Sequence, residues 1–152
     1  MNISVDQIKK LREKTGAGIA DVKKALADSG GDEKKAGEIL KSWGIDKASA
    51  KAGRAVRAGL VETYIHSGGH VGSMVEINCE TDFVVRTDEF KNLAHEVAMQ
   101  VAAMDPADVS ELLSQEYIRD GSKTIGDLVK EAIAKLGENI VVKRFMRFEL
   151  GS

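Results

Sequence analysis

The feature that most constrains this chain is a change in the spacing of its apolar residues close to residue 59. Before that point they recur every three or four residues, as in Ile19, Val22 and Leu26, then Ala36, Ile39, Leu40 and Trp43. Beyond it alternate positions line one face, first Val61, Thr63 and Ile65, then Val71, Ser73, Val75, Ile77 and Cys79. A spacing of three to four stacks side chains along one side of a helix, and a spacing of two lines one face of a strand. The chain must therefore combine a helical front with a sheet-containing body, an α+β arrangement.

Local signals divide the front into three helices. Ser4 and Gln7 form a capping box, with Ile3 and Ile8 spaced as a hydrophobic staple, and the helix runs through Leu11 to a stop near Thr15-Gly16-Ala17-Gly18. The second helix ends at Ser29-Gly30-Gly31. Asp32 can cap the third, and Gly44 is expected to stop it. Residues 1–44 thus read as a small three-helix domain. Residues 45–58, rich in Ala, Lys and Arg, read as a basic helical linker, and residues 59–152 as the α+β core.

In that core Ser67-Gly68-Gly69-His70 joins two strands as a hairpin. A helix through Phe90, Leu93, Ala94, Val97, Ala98 and Val101 ends at Asp105-Pro106. Residues 107–123 suggest only a short helix around Glu111 to Tyr117, with Gly121-Ser122-Lys123 as a turn. Thr124 and Asp127 cap a helix that Gly137 stops. The last strand, Ile140 to Leu150, is expected to place Ile140, Val142, Met146, Phe148 and Leu150 on one face, with Lys143, Phe145, Arg147 and Glu149 on the other. The result is an antiparallel three-stranded sheet packed with helices. Its two edges invite pairing with a second copy of the chain.

Catalytic chemistry is thinly represented. There is one cysteine, Cys79, so no internal disulfide framework exists, and its inward alternation with Val75 and Ile77 reads as a buried small hydrophobe. Phosphate-cradling loops of the Gly-x-x-x-x-Gly-Lys or Gly-x-Gly-x-x-Gly type are missing. His66, His70 and Glu80-Thr81-Asp82 could imitate a metal or acid/base site, although both histidines flank a turn, where polar residues are ordinary. His95 falls on the polar side of its helix. No apolar run approaches the roughly 20 residues of a membrane span. The start, Met1 to Asp6, has neither the basic residues nor the apolar stretch of a secretory signal, so a cytoplasmic setting is expected. The net charge of −2 hides a basic front and an acidic body. Without an aromatic nucleic-acid pattern or zinc-finger spacing, that asymmetry reads as solvated helix faces or protein contact.

One stretch does not fit a bland reading. Glu80-Thr81-Asp82-Phe83-Val84-Val85 links a strand to a helix, yet places a large aromatic and two valines beside two carboxylates. Either Phe83 and Val84 fold back beneath the next helix, or the loop presents an apolar wedge beside an acid, held rigidly on both sides.

Two motifs suggest a family. Thr15-Gly16-Ala17-Gly18-Ile19-Ala20-Asp21-Val22-Lys23-Lys24-Ala25-Leu26 resembles the N-terminal signature of the translation elongation factor Ts family, and Asn78-Cys79-Glu80-Thr81-Asp82-Phe83-Val84 resembles its second signature. The segment Ile133 to Ile140 is similar to the family's end segment. The resemblance implies a front domain of the ubiquitin-associated type that grips the GTPase elongation factor Tu. It implies a body that presents Asp82-Phe83 next to that GTPase's nucleotide site, with Phe83 as wedge and Asp82 disturbing magnesium and phosphate. Thr81, Asp82, Phe83, Val84, Arg12, Ile19 and Ala20 are then the partner-binding residues. The implied activity is guanine nucleotide exchange during protein synthesis, by a protein that is not an enzyme, needs no cofactor and binds no nucleic acid directly.

The chain departs from the family pattern at Ile19-Ala20, where many members carry two methionines. It is also too short between Ala103 and Lys123 for the second core subdomain and coiled-coil insertion of longer members. A single core copy implies a homodimer, and a two-plus-two complex with the partner. Two readings of other classes compete: an RNA- or ribosome-binding protein using Lys47, Lys51, Arg54 and Arg57, and a small hydrolase built on His66, His70 and Asp82.

Overall fold

Residues 2–152 are described by a computed structural model. Met1, the first residue of the stretch read for a secretory signal, lies outside them. The chain divides into two units, one ending at Ala50 and the other spanning Lys51–Ser152.

The first unit contains helices α1 (Val5–Thr15), α2 (Ile19–Asp28) and α3 (Glu33–Lys51). The Ser4/Gln7 capping box forms, with Ser4 Oγ accepting from Gln7 N at 3.1 Å and Gln7 Oε1 from Ser4 N at 3.0 Å. Asp32 Oδ1 accepts from the Lys34 and Lys35 backbone N–H groups at the head of α3. The core is small: Leu11, Val22, Ala25, Leu26, Ala36 and Leu40, edged by Ile3, Ile8, Ala17, Ile39 and Trp43. The third helix corrects the sequence reading, because it passes through Gly44 and continues to Lys51. A glycine inside a helix costs only about 1 kcal/mol relative to alanine, and the alanine- and lysine-rich segment that follows favours helix. The turn comes instead at Ala52-Gly53, and residues 54–57 have no regular structure.

The second unit is built on a sheet of strands β1 (Ala58–Ile65), β2 (Val71–Cys79) and β5 (Ile140–Glu149), antiparallel throughout, in the order β1-β2-β5. Helix α5 (Asp88–Met104) packs across one face, and α6 (Val109–Ser114) and α7 (Ile125–Leu136) pack together against β5, α7 also touching α5. The core joins Val75, Ile77 and Cys79 of β2 to Phe90, Ala94, Val97, Ala98 and Val101 of α5, and to Ile125, Val129 and Ile133. Thr124 and Asp127 form the expected capping box on α7, and Gly137 ends it. Among the described residues no helix is long and apolar enough to cross a membrane.

The last strand corrects the expected faces. A bulge interrupts its pairing, with Ile77 opposite Val142 but Glu76 opposite Arg144, so Lys143 has no partner strand residue. An extra residue reverses the alternation beyond it. Ile140 and Val142 are buried, whereas Met146, Phe148 and Leu150 turn to the open face. Arg147 now points toward α5 and donates from Nε to the Ala102 carbonyl at 3.0 Å. On the neighbouring strand Ser73 donates to the Ala98 carbonyl at 2.6 Å. Val61 and Ile65 of β1 and Met74 of β2 are exposed as well.

Residues 107–123 hold a second correction. The helix there is Val109–Ser114, and a small hairpin follows, β3 (Glu116–Tyr117) and β4 (Asp120–Thr124), so Gly121-Ser122-Lys123 belongs to a strand. Two buried polar side chains of α5 hold it. Gln100 donates to the Glu116 carbonyl at 3.0 Å and accepts from Ile118 N at 3.1 Å. Glu96 accepts from the Tyr117 hydroxyl at 2.7 Å and from Arg119 Nε at 2.8 Å. Burial, reinforced by Glu96, pushes the Tyr117 hydroxyl up to about 12.

Candidate partner-binding loop

The loop that leaves β2 carries the residues of interest. Cys79 ends the strand fully buried, and its thiol donates to the Thr81 carbonyl at 3.3 Å. Burial raises the thiol pKa above its ordinary value, which keeps it a poor nucleophile and agrees with a core role. Residues Asp82–Val85 form a single helical turn, α4. Thr81 is its N-cap, with the hydroxyl accepting from Val84 N at 3.4 Å. Thr87 closes the other side: its hydroxyl donates to the Val84 carbonyl at 2.7 Å and accepts from Phe90 N at 3.2 Å, capping α5.

The turn separates two neighbouring apolar residues. Val84 is buried, only 4% exposed, and ties the turn to the body, whereas Phe83 is 78% exposed. Both readings of this stretch are thus half right: the valine folds back, and the phenylalanine does not. Beside Phe83 the Asp82 carboxylate is exposed and takes no hydrogen bond or ion pair from the described residues. Val84, which the resemblance puts among the partner-binding residues, lies buried beneath the turn.

A second set of residues holds this loop from the turn between α7 and β5. Glu138 Oε1 accepts from the Glu80 and Thr81 backbone N–H groups at 3.1 and 3.0 Å, and Oε2 accepts from the Thr81 hydroxyl at 2.7 Å. In return Glu80 Oε2 accepts from Asn139 N at 2.7 Å, and Arg54 lies 3.6 Å from the same oxygen. The buried Asn139 amide donates to the Arg54 carbonyl at 3.0 Å. Nothing in the local sequence predicts these links, whose hydrogen bonds join residues 57 to 85 positions apart.

The remaining candidates fall elsewhere. Arg12, Ile19 and Ala20 are exposed in the first unit, Ile19 to 49%. His66 and His70 are exposed at the opposite end of β2 from Asp82. At about 3.3 Å per residue, a strand of this length separates the two ends by roughly 30 Å. The grouping of His66, His70 and Asp82 is therefore overturned. His66 Nδ1 lies 3.1 Å from the Tyr64 hydroxyl instead. Among the described residues no cluster of His, Cys, Asp or Glu could hold a metal. Of the basic residues weighed for RNA binding, Lys47 pairs with Asp21 at 2.6 Å and Arg54 with Glu80, so two of the four are already neutralised within the chain.

Residues 80–152, from this loop to the end of the chain, match the family described as Elongation factor TS. The chain is 45% identical to the Elongation factor Ts of Thermoanaerobacter sp. (strain X514), over 98% of this chain and 95% of that protein. It is 45% identical to that of Thermotoga petrophila, over 99% and 98%, and 43% identical to that of Herpetosiphon aurantiacus, over the full length of both. The chain belongs to the elongation factor Ts family. The alignments extend over 194 to 197 residues, so these family members carry residues within the matched span that the 152 residues here lack.

Proposed function

We propose that this protein is a guanine nucleotide exchange factor for the GTPase elongation factor Tu, acting in the elongation stage of protein synthesis. The observation that carries the proposal is the exposed Phe83, set beside Asp82, which has no partner among the described residues, on a turn anchored by Val84 and two threonine caps. A GTPase holds its diphosphate through backbone N–H groups and magnesium. A small displacement of those groups removes several charge-assisted bonds at once. Burying Phe83 in the partner contributes roughly 1.5–3 kcal/mol toward that displacement, and the neighbouring Asp82 brings a negative charge toward the magnesium and phosphates. Arg12, Ile19 and Ala20 supply a second contact through the helical unit, whose three helices suit a ubiquitin-associated type of module. The residues act by binding alone: no bond in the factor is made or broken, and no cofactor is called on. Coupling is reciprocal, so GDP must weaken the factor's own hold on the partner. The cytoplasm is the compartment in which such a cycle runs.

The experiment is release of a fluorescent GDP from elongation factor Tu with and without the full chain. Acceleration at micromolar concentration supports the proposal. No acceleration removes it and returns the basic residues Lys51 and Arg57 to consideration as an RNA contact, which a steep fall of RNA affinity with salt would reveal.

The open face of the sheet favours a homodimer as part of the same reading. Val61, Ile65, Met74, Met146, Phe148 and Leu150 are all at least half exposed there. An apolar surface of this extent marks an interaction site, and a second copy brings an equally apolar face to it. Sedimentation equilibrium of the wild type and of Phe148→Glu tests it: a dimer that the charge dissociates supports the reading, and a wild-type monomer at tens of micromolar rules it out.

A further inference from the structure

We infer that Glu138 is a positioning residue for the exchange loop: its carboxylate, reaching across from the turn between α7 and β5, fixes the direction in which Asp82 and Phe83 leave the body. This rests on the exchange reading above and assigns a role to a residue that touches no partner in it.

The geometry is reciprocal. Glu80-Thr81 and Glu138-Asn139 lie side by side, and each pair offers a carboxylate to the other's backbone N–H groups. Glu138 takes two N–H groups on one oxygen and the Thr81 hydroxyl on the other. Glu80 takes the Asn139 N–H. A carboxylate accepting backbone N–H groups makes stronger bonds than a neutral acceptor. The Thr81 hydroxyl transmits the constraint. It has one proton and two lone pairs. Glu138 Oε2 claims the proton, which leaves a lone pair free to face Val84 N, and that bond opens the turn carrying Asp82 and Phe83. Without Glu138 the hydroxyl is free to rotate, and the N-cap loses its orientation.

The turn is four residues long, too short to be stable by its own hydrogen bonds. Val84 fixes its depth in the body, and the Thr87 hydroxyl, donating to the Val84 carbonyl, holds its C-terminal side. The N-terminal side, from which Asp82 and Phe83 leave, is left to Thr81 and Glu138. Phe83 makes its contribution only if it meets the partner at one angle, and a misplacement of about 1 Å can cost 100-fold where geometry carries the effect. A brace that fixes the backbone on the N-terminal side of the turn meets that need.

The chain contains its own reporter. Cys79 is its one cysteine, is buried, and bonds to the Thr81 carbonyl inside the braced segment. Its reaction with an aromatic disulfide reagent therefore reads how often this segment opens. The test compares wild type, Glu138→Ala and Glu138→Gln as full chains in two assays: Cys79 labelling across low urea concentrations, and fluorescent GDP release from elongation factor Tu as the concentration of the chain is varied. Glu138→Ala is expected to speed labelling about tenfold or more, the equivalent of losing one or two bonds to a charged acceptor. That rate should be nearly independent of urea, as local opening requires. In exchange, the maximal acceleration should fall about tenfold while the concentration giving half of it changes little, since the contacts themselves remain. Glu138→Gln keeps the acceptor for the two backbone N–H groups but replaces the oxygen that takes the Thr81 proton with an amide donor, so it should restore only part of both.

Wild-type labelling and exchange in Glu138→Ala would overturn the inference. So would labelling that rises steeply with urea, because that reports a general loss of stability. If wild type itself fails to release GDP, the exchange reading falls. The urea-independent labelling result still decides whether the brace exists.

Discussion

Strand β2 has two ends that the chain treats very differently. At one, Ser67-Gly68-Gly69-His70 reverses direction with polar, exposed residues, and the turn is closed by backbone bonds: His66 N to the Val71 carbonyl and Gly69 N to the His66 carbonyl, both at 2.9 Å. At the other, Glu80 to Val85 is held by two carboxylates, two threonine hydroxyls and a buried valine, and yet displays a large aromatic to water. A loop that serves only to connect needs no more than the first. A segment held by buried and charge-assisted bonds that nonetheless exposes Phe83 fits the proposed partner contact, in which a rigid loop presents the ring.

The sharpest way to break this contrast is Phe83→Ala. If the two ends differ as proposed, the change removes roughly 1.5–3 kcal/mol of partner contact, or about 10- to 100-fold in the acceleration of GDP release. Because the side chain is on water in the free protein, the unfolding free energy from urea titration should change by less than about 0.5 kcal/mol. Phe83→Leu should fall between. Loss of stability in step with loss of exchange would instead mean that the ring is part of the core, against its exposure.

Glycines offer a second comparison. Gly59 pairs with Asn78 beside the braced loop, and a Cβ placed there would lie 2.4 Å from the Ile77 carbonyl oxygen and 2.9 Å from the Asn78 Cα. Neither backbone atom can move without disturbing β2, so Gly59→Ala should cost about 2–4 kcal/mol of stability in urea unfolding. At the turn end Gly69 has a φ of 74°, and a Cβ added to it would meet nothing within 4 Å. Gly69→Ala therefore carries only local backbone strain, about 1 kcal/mol. Equal costs at the two sites would mean that the braced end is no more rigid than the turn.

Much of this contrast was legible in the sequence, and what was not has a common cause. Caps read correctly because each is settled within a few residues: Ser4 with Gln7, and Thr124 with Asp127. The sheet's pairing order was less exposed to error than its faces. Lys143, one unpaired residue, moves Met146, Phe148 and Leu150 to the open side, and a bulge leaves no mark on the alternation that precedes it. The β3–β4 hairpin escaped notice because Asp120–Thr124 is polar and its support comes from Glu96 and Gln100 on a helix read for its apolar side. Gly44 looked like a helix end because glycine is a common stop, and the helical reading of the residues after it did not show that they continue the same helix to Lys51. At the loop, the composition of Asp82-Phe83-Val84 announced that something was unusual. Which of two adjacent apolar residues faces water, and that Glu138 holds Thr81, depends on the fold.

Thr81→Ala gives a smaller effect at the braced end. It removes the hydroxyl that caps α4 and the proton that Glu138 accepts, but leaves the two backbone N–H bonds to Glu138 in place. An N-cap threonine replaced by alanine typically costs about 1 kcal/mol. The loss should appear in urea unfolding, with exchange reduced less than by Phe83→Ala because the ring itself remains.

The smallest effect belongs to His70→Ala, at the other end of the strand. The imidazole is exposed, and the bond that matters there, from Leu150 N to the His70 carbonyl at 2.8 Å, is made by the backbone and survives the change. Stability should shift by no more than about 0.5 kcal/mol, and acceleration of GDP release should be that of wild type. The result also bears on chemistry: an activity of any kind that followed pH and vanished with His70 would require an acid/base site at the turn, where the structure supplies no carboxylate from the Glu80–Asp82 loop. A silent His70→Ala beside a crippled Phe83→Ala would place the function of this domain at one end of β2.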